Sequence, residues 1–140
     1  MPRTLLALSA ALGLVLALPA RAQTVEDGSE AAIGKENAAI VLALIAERFA
    51  ALDPKVTTLR RARGTGQGTR QGTGTEAWIC GAVNVKNQDG LYLGERGFVV
   101  DVGNRFFGRV PDGPELLNPR AEGFAEKERI RQLFFSLCLD

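Results

Sequence analysis

Apolar residues in the first half of the chain recur at helical spacing. Residues 30–52 are rich in alanine, isoleucine, leucine and glutamate, with Ser29 as the expected N-cap and Asp53-Pro54 as the stop. The run over residues 38–46 is apolar on all sides, which predicts a helix buried against a core, because so short a run cannot cross a bilayer. The most regular stripe on this helix consists of Val41, Leu44, Ile45, Phe49 and Leu52.

The middle of the chain carries strand patterns. Residues 77–86 are apolar on both faces, which predicts a central strand covered on both sides. Asn87 to Gly90 has the chemistry of a hairpin turn, and Gly103-Asn104 predicts a second, two-residue turn. One face of the central strand holds Trp78, Cys80 and Ala82, and the other holds Ile79, Val83 and Val85. The other predicted strand segments are residues 55–63, 91–93, 98–102 and 105–110, with Gly94 and Gly97 marking a bulge or bend.

The last part of the chain predicts a loop and then an amphipathic helix. Residues 111–119 are punctuated by proline and glycine, whereas residues 124–139 have an apolar face at helical spacing. The fold class is therefore α+β: an N-terminal helix, a three- to four-stranded antiparallel meander and a C-terminal helix. The apolar face of the last helix consists of Ile130, Leu133, Phe134, Leu137 and Cys138.

Residues 1–22 have the pattern of a secretory signal peptide. Arg3 precedes an apolar stretch over residues 5–18, and Ala20-Arg21-Ala22 matches the A-x-A cleavage pattern, so Gln23 is the expected first residue of the mature protein. A permanent membrane anchor is disfavoured, because the stretch is short and is followed at once by the cleavage site. We expect a periplasmic or secreted protein of a Gram-negative bacterium, with no transmembrane span after cleavage.

Composition excludes several function classes. The chain has 140 residues, 46% of them hydrophobic and 24% charged, which is typical of one globular domain. It contains no histidine, which removes histidine-based acid–base catalysis, histidine-dependent triads and the usual zinc sites. The signal-free chain has 15 basic and 16 acidic residues, so charge gives no argument for nucleic-acid binding. We predict no catalytic residue, no metal ligand and no cofactor.

A glycine-rich segment over residues 64–75 matches neither the dinucleotide-binding nor the phosphate-loop fingerprint. Its glycine, threonine and glutamine residues have no apolar surface to bury, which predicts a flexible surface loop. Arginines beside and within it form a candidate basic patch for an acidic partner, although a solvated edge strand is the simpler interpretation. The patch consists of Arg60, Arg61, Arg63 and Arg70.

The two cysteines of the chain, Cys80 and Cys138, predict one disulfide bond in an oxidising compartment. The bond would close a loop of about 59 residues and stabilise the fold by about 4 kcal/mol. Reactive free thiols are the alternative, but the chain has neither a C-x-x-C motif nor an activating base. The bond would hold the last helix against the Trp78 face of the central strand.

The segment from Cys80 to Phe98 reads C-G-A-V-N-V-K-N-Q-D-G-L-Y-L-G-E-R-G-F. It resembles the pattern C-G-x-V-N-x-K-N-x-x-G-x-Y-x-G-x-x-x-F of small bacterial secreted proteins of uncharacterised function, and Asp53-Pro54 and the late cysteine fit the same group. The resemblance implies secretion but no activity. The glycine-rich segment is a departure from that group.

Polar side chains gather around the first predicted hairpin and form a candidate recognition patch. The alternative is that they shape the turn or are solvated. The leading hypothesis is a non-enzymatic binding or interaction module of the bacterial cell envelope, whose partner is an envelope protein or an acidic partner. A small carboxylate-dependent glycan hydrolase and a purely structural envelope protein are the alternatives. The candidate patch consists of Asn84, Lys86, Asn87, Asp89, Tyr92 and Arg96.

Overall fold

The structure is a computed structural model that describes residues 24–63 and 77–139. The predicted signal peptide and the whole glycine-rich segment over residues 64–75, with Arg70, lie outside these residues. The described residues confirm the α+β class: one antiparallel sheet with helices before and after it. The elements are α1 (Glu30–Ile33), α2 (Lys35–Phe49), β1 (Lys55–Arg61), β2 (Trp78–Asn84), β3 (Arg96–Asp101), β4 (Phe106–Arg109) and α3 (Phe124–Cys138), with 3-10 turns over Ala50–Leu52 and Gly113–Leu116.

The sheet is a meander with the strand order β1-β2-β3-β4. Strand β2 is central, as its two apolar faces predict, and it pairs with β1 on one side and β3 on the other. Helix α2 covers one face of the sheet and α3 covers the other. None of the helices among residues 24–63 and 77–139 has the length and apolar character needed to cross a membrane.

The larger core lies between α2 and the sheet. Helical spacing places one stripe of α2 against the sheet, and strand alternation turns every second side chain toward it. Phe107 stacks edge-on against Phe49 of α2, with 5.7 Å between ring centroids. The fully buried members of this core include Val41, Ile45, Val56, Leu59, Ile79, Val83, Phe98 and Val100.

The smaller core lies between the sheet and α3, and the disulfide is at its centre. Cys80 of β2 and Cys138 of α3 are bonded and buried. Two glycines let the helix lie close to the sheet: an added β-carbon would stand 2.4 Å from the Phe134 ring at Gly97 and 2.9 Å from Ile130 at Gly108. The predicted pairing and the predicted placement of the last helix are both confirmed.

The N-terminal helix is broken where the sequence predicts one continuous helix. Gly34 separates α1 from α2 with a φ of +88°, a conformation that only glycine adopts readily. The Asn37 side-chain amide donates to the Ile33 carbonyl across the break, at 2.9 Å. Ser29 stands at the N-cap position, but its hydroxyl accepts from the Leu59 backbone N–H at 2.7 Å instead of capping the helix. The break lets α1 and α2 both turn apolar side chains toward the sheet.

The two predicted hairpins differ in detail from the observed connections. Residues 91–93 form no strand and make only a single bridge, between Lys86 and Tyr92. The β3–β4 connection has four residues, not two, and its left-handed residue is Arg105, with a φ of +50°. The Asp101 carboxylate accepts from the Asn104 side chain at 2.6 Å, which stabilises this wider turn.

Candidate functional site

The β2–β3 connection, residues 85–95, lies at the end of the sheet near the last turn of the α2 region. The Asp53 cluster, formed by Asp53, Lys86 and Tyr92, fastens it there. The Lys86 ammonium lies 2.9 Å from the Asp53 carboxylate. The Tyr92 hydroxyl lies 3.0 Å from the same carboxylate and 2.9 Å from the Asp53 carbonyl. The Asp53 cluster therefore joins the β2–β3 connection to the residue that follows the 3-10 turn.

The charged groups of the Asp53 cluster stabilise each other. Hydrogen bonds from Lys86 and Tyr92 lower the pKa of Asp53. The Asp53 carboxylate raises the pKa of Lys86. Burial, and then the bond to Asp53, raises the pKa of Tyr92, whose ring also lies 4.3 Å from the Lys55 ammonium. At neutral pH Asp53 and Lys86 are therefore charged and Tyr92 is neutral. The three groups shape the connection, and none of their pKa values is moved toward 7, as a general base or nucleophile requires.

Asn87 shapes the turn within the connection. Its side-chain oxygen accepts from the backbone N–H groups of Asp89 and Leu91, each at 3.0 Å. Gly90 follows with a φ of +77°. Asn87 and Asp89 therefore have the turn roles that the alternative interpretation of the candidate recognition patch assigns to them.

Arg96 lies at the start of β3 and is held by two carboxylates. It pairs with Asp112 and, at 3.5 Å, with Glu115. Glu115 also pairs with Lys127 of α3 at 3.3 Å, so the loop before α3 is tied to the sheet through Arg96. Asn84 stands opposite Lys55 in the sheet register, and its buried side-chain oxygen has no hydrogen-bond partner among the described atoms. The structure thus brings Lys86, Asn87, Asp89 and Tyr92 together in the connection and places Arg96 beside it, whereas none of the hydrogen bonds or ion pairs of the described residues links the Asn84 side chain to them.

A groove of about 350 Å³, which we call the Arg109 groove, lies between this connection and the sheet. Three cations line it, whereas no carboxylate does. A second cavity, of about 280 Å³, shares Arg96 and Arg109 with it. The lining side chains of the Arg109 groove are the cations Lys86, Arg96 and Arg109, the apolar Leu52, Val85 and Leu93, and the amides Asn87 and Gln88.

Arg109 differs from the other two cations of the groove. Its guanidinium is half-buried and lies 5.0 Å from the centre of the Phe49 ring. Burial, and then the neighbouring charge of Arg96, lowers the pKa of Arg109. None of the ion pairs among the described residues includes it, whereas Lys86 and Arg96 are both paired. Arg109 is therefore a partly desolvated cation that forms no ion pair with a described residue, although the charge of Glu115 opposes part of the lowering of its pKa.

Sequence reasoning passed over Arg109, because the pattern places it at the end of a hairpin strand. Strand alternation is the sequence signal that could have identified Arg109. Phe107 faces the α2 core, so Arg109, two residues later, faces the same side. An arginine at an inward-facing position is unusual unless it is paired.

The candidate basic patch does not form one surface among the described residues. The Arg61 guanidinium donates to the Ile33 carbonyl on the α1 side of the sheet, at 3.1 Å. Arg60 instead lines a shallow cavity with Cys80 and Phe134, on the α3 side. Arg63 donates its backbone N–H to the last turn of α3. Neighbours in the sequence thus point to opposite faces, as strand alternation requires.

The described acidic groups give no support to the hydrolase alternative. A glycosidase acid needs a raised pKa. Three described carboxyl groups have clearly displaced pKa values, Asp27, Asp53 and Glu128, and all three are lowered. The described residues also contain no group of three acidic, cysteine or histidine side chains that is able to hold a metal ion.

Comparison of the chain with protein-family models, with curated proteins and with solved structures found no match.

Proposed function

We propose that this protein is a secreted binding module of the bacterial cell envelope that does not act as an enzyme, and that its Arg109 groove recognises a carboxylate on an envelope partner. The observation that carries the proposal is the half-buried Arg109 guanidinium, which forms no ion pair with a described residue. A guanidinium in this state has lost part of its hydration and has gained no ion pair in exchange. A ligand carboxylate would supply the missing partner.

The geometry of arginine suits this role. Its planar guanidinium binds a carboxylate through two parallel hydrogen bonds, and such charge-assisted bonds are stronger than neutral ones. The Phe49 ring supports one side of the Arg109 guanidinium, which limits the rotamers it samples before binding. Lys86 and Arg96 line the same groove, but each is already paired with a carboxylate, so Arg109 is the cation that attracts an anion there.

Export is part of the proposal. The Cys80–Cys138 bond is of a kind that forms and persists in oxidising compartments such as the periplasm. The signal-peptide pattern over residues 1–22 predicts the same destination. These two observations support a partner in the envelope, and the unpaired Arg109 guanidinium supports an exposed acidic group on that partner.

Affinity capture tests the function. Signal-free protein carrying a tag would be incubated with an envelope extract, beside the Arg109→Gln and Arg105→Gln variants. Arg105 is the matched control, because it is a surface cation of the β3–β4 turn, with only a long 3.8 Å contact to Glu47. We expect the wild type and Arg105→Gln to retain the same partner and Arg109→Gln to lose it. Equal capture by all three proteins would contradict the proposal.

A further inference from the structure

The charges around the Arg109 groove limit the ligand to one negative charge. Lys86 is neutralised by Asp53, and Arg96 is paired with two carboxylates. Of the three cations that line the groove, only Arg109 forms no ion pair with a described residue. A second negative charge on the ligand would find no further unpaired cation in the groove lining. A monoanion therefore fits better than a phosphate ester or a polyanionic glycan.

The rest of the groove offers apolar contact. Leu52 and Val85 pack at the margin of the larger core, and their outer surfaces line the groove. Leu93 lines it as well and is 77% exposed, so most of its side chain faces water in the absence of a ligand. An apolar group placed among these three side chains would remove their surface from water.

Two carboxamides complete the lining. Asn87 uses its side-chain oxygen in the turn, but its side-chain N–H₂ group has no partner among the described atoms, and neither has the Gln88 side chain. A ligand with a plain hydrocarbon body would cover these amides without bonding to them, which carries a desolvation cost. A ligand with an amide next to its apolar group would bond to them.

We propose that the Arg109 groove binds the C-terminus of a peptide whose last residue is apolar. The inference rests on the proposed function and names its ligand. The α-carboxylate pairs with Arg109, the last side chain packs among Leu52, Val85 and Leu93, and the last peptide group bonds to Asn87 or Gln88. A groove of about 350 Å³ is at the small end of ligand pockets, which suits one or two residues of a chain end.

Fluorescence anisotropy with a labelled Gly-Gly-Ala-Leu peptide tests the ligand. The free acid should bind, and the same peptide with an amidated C-terminus should bind at least about tenfold more weakly, because it lacks the charge that Arg109 requires. A Gly-Gly-Ala-Asp peptide should also bind more weakly. Equal binding of the acid and the amide would overturn the proposal.

Three variants locate the site. Arg109→Gln should weaken binding of the Leu-ended acid by about tenfold or more, whereas Arg105→Gln should leave it unchanged. Leu93→Ser changes an exposed side chain, so the melting temperature should stay the same while the preference for leucine over aspartate at the peptide end is lost. Unchanged affinity in both Arg109→Gln and Leu93→Ser would place the site elsewhere and overturn the proposal.

Competition with decanoate tests whether the ligand of the groove is a peptide C-terminus or a free fatty acid. If decanoate binds in an Arg109-dependent way and the peptide acid does not, the peptide assignment fails while carboxylate recognition stands. The peptide assignment also fails, while carboxylate recognition stands, if envelope capture depends on Arg109 but the amidated and free-acid peptides compete equally with the captured partner. If envelope capture is independent of Arg109, the proposed function itself fails.

Discussion

At the scale of single residues, the close contacts of the sheet depend on glycine at particular places. At Gly81 in β2, an added β-carbon would stand 2.6 Å from the Thr58 carbonyl oxygen and 2.4 Å from the Phe98 ring. The oxygen belongs to the backbone of the neighbouring strand and moves only if the sheet moves. The strand pattern alone predicts an apolar position here, but not that the position must lack a side chain.

Gly81→Ala should lower the free energy of unfolding by at least about 1–3 kcal/mol, because overpacking forces the neighbouring strand or Phe98 to shift. Urea denaturation measures the change. Gly113→Ala is the control, since nothing lies within 4 Å of its added β-carbon, and its effect should stay within about 0.5 kcal/mol. Similar effects of the two substitutions would contradict the packing account.

A second residue-scale prediction concerns Glu128 on α3. Hydrogen bonds from Arg131, and then Gln132, lower the pKa of Glu128 to about 2. This folded value is below the unfolded value of about 4.3. The contribution of Glu128 to stability is therefore fully present above about pH 4.3 and is lost as the pH falls toward 2.

NMR titration of the Glu128 side-chain carboxyl carbon should give a midpoint close to 2. Arg131→Gln should move the midpoint back toward the unfolded value. Arg129→Gln should not, because Arg129 contacts Glu126 instead, at 3.8 Å. A midpoint near 4.3 in the wild type would show that the pair does not form in solution.

At the scale of elements, the apolar pattern of residues 77–86 was sufficient to predict a central strand covered on both faces, and the two cysteines were sufficient to predict that the last helix covers one of them. The breaks were harder to predict. Gly34 lies between good helix formers, and a single glycine is tolerated in many helices. The four-residue β3–β4 turn depends on Asp101 and Asn104 bonding to each other, which a Gly-Asn pair alone does not indicate.

The disulfide yields the element-scale prediction. Cys80 and Cys138 are 58 residues apart, so replacing both by alanine should lower the free energy of unfolding by about 4 kcal/mol. Ser136→Ala, an exposed change on the same helix, should have little effect.

Alkylation without reductant should leave the intact mass of the wild type unchanged. Label on both cysteines would show that the bond is absent in the isolated protein.

At the scale of the whole molecule, the Arg109 groove forms because helix α2 and the sheet end at different places. Helix α2 ends at Phe49, and Leu52, the β2–β3 connection and the cations of β3 and β4 meet beyond it. Sequence reasoning singled out Lys86, Asn87 and Arg96 because they cluster along the chain. It did not associate Leu52 or Arg109 with these residues, because both are distant in sequence and reach the groove only through the fold.

Export is the prediction that belongs to the whole chain. Expressed in a Gram-negative host, the protein should appear in the periplasm with Gln23 as its first residue and with 118 residues in total. Ala22→Arg should block the cleavage, because the signal peptidase site requires a small residue there. Intact-mass analysis of the periplasmic fraction measures both. Uncut protein in the cytosol of cells expressing the wild type would contradict secretion.

The most direct test of carboxylate recognition is an NMR titration that follows the side-chain Nε–Hε signals of the arginines. N-acetyl-leucine, which carries one carboxylate, one amide and one apolar side chain, is added to the protein. Our account predicts a saturable shift of the Arg109 signal, with no shift of Arg105, and loss of the effect when the carboxylate is replaced by an amide. An unmoved Arg109 signal, or equal shifts at both arginines, would contradict it.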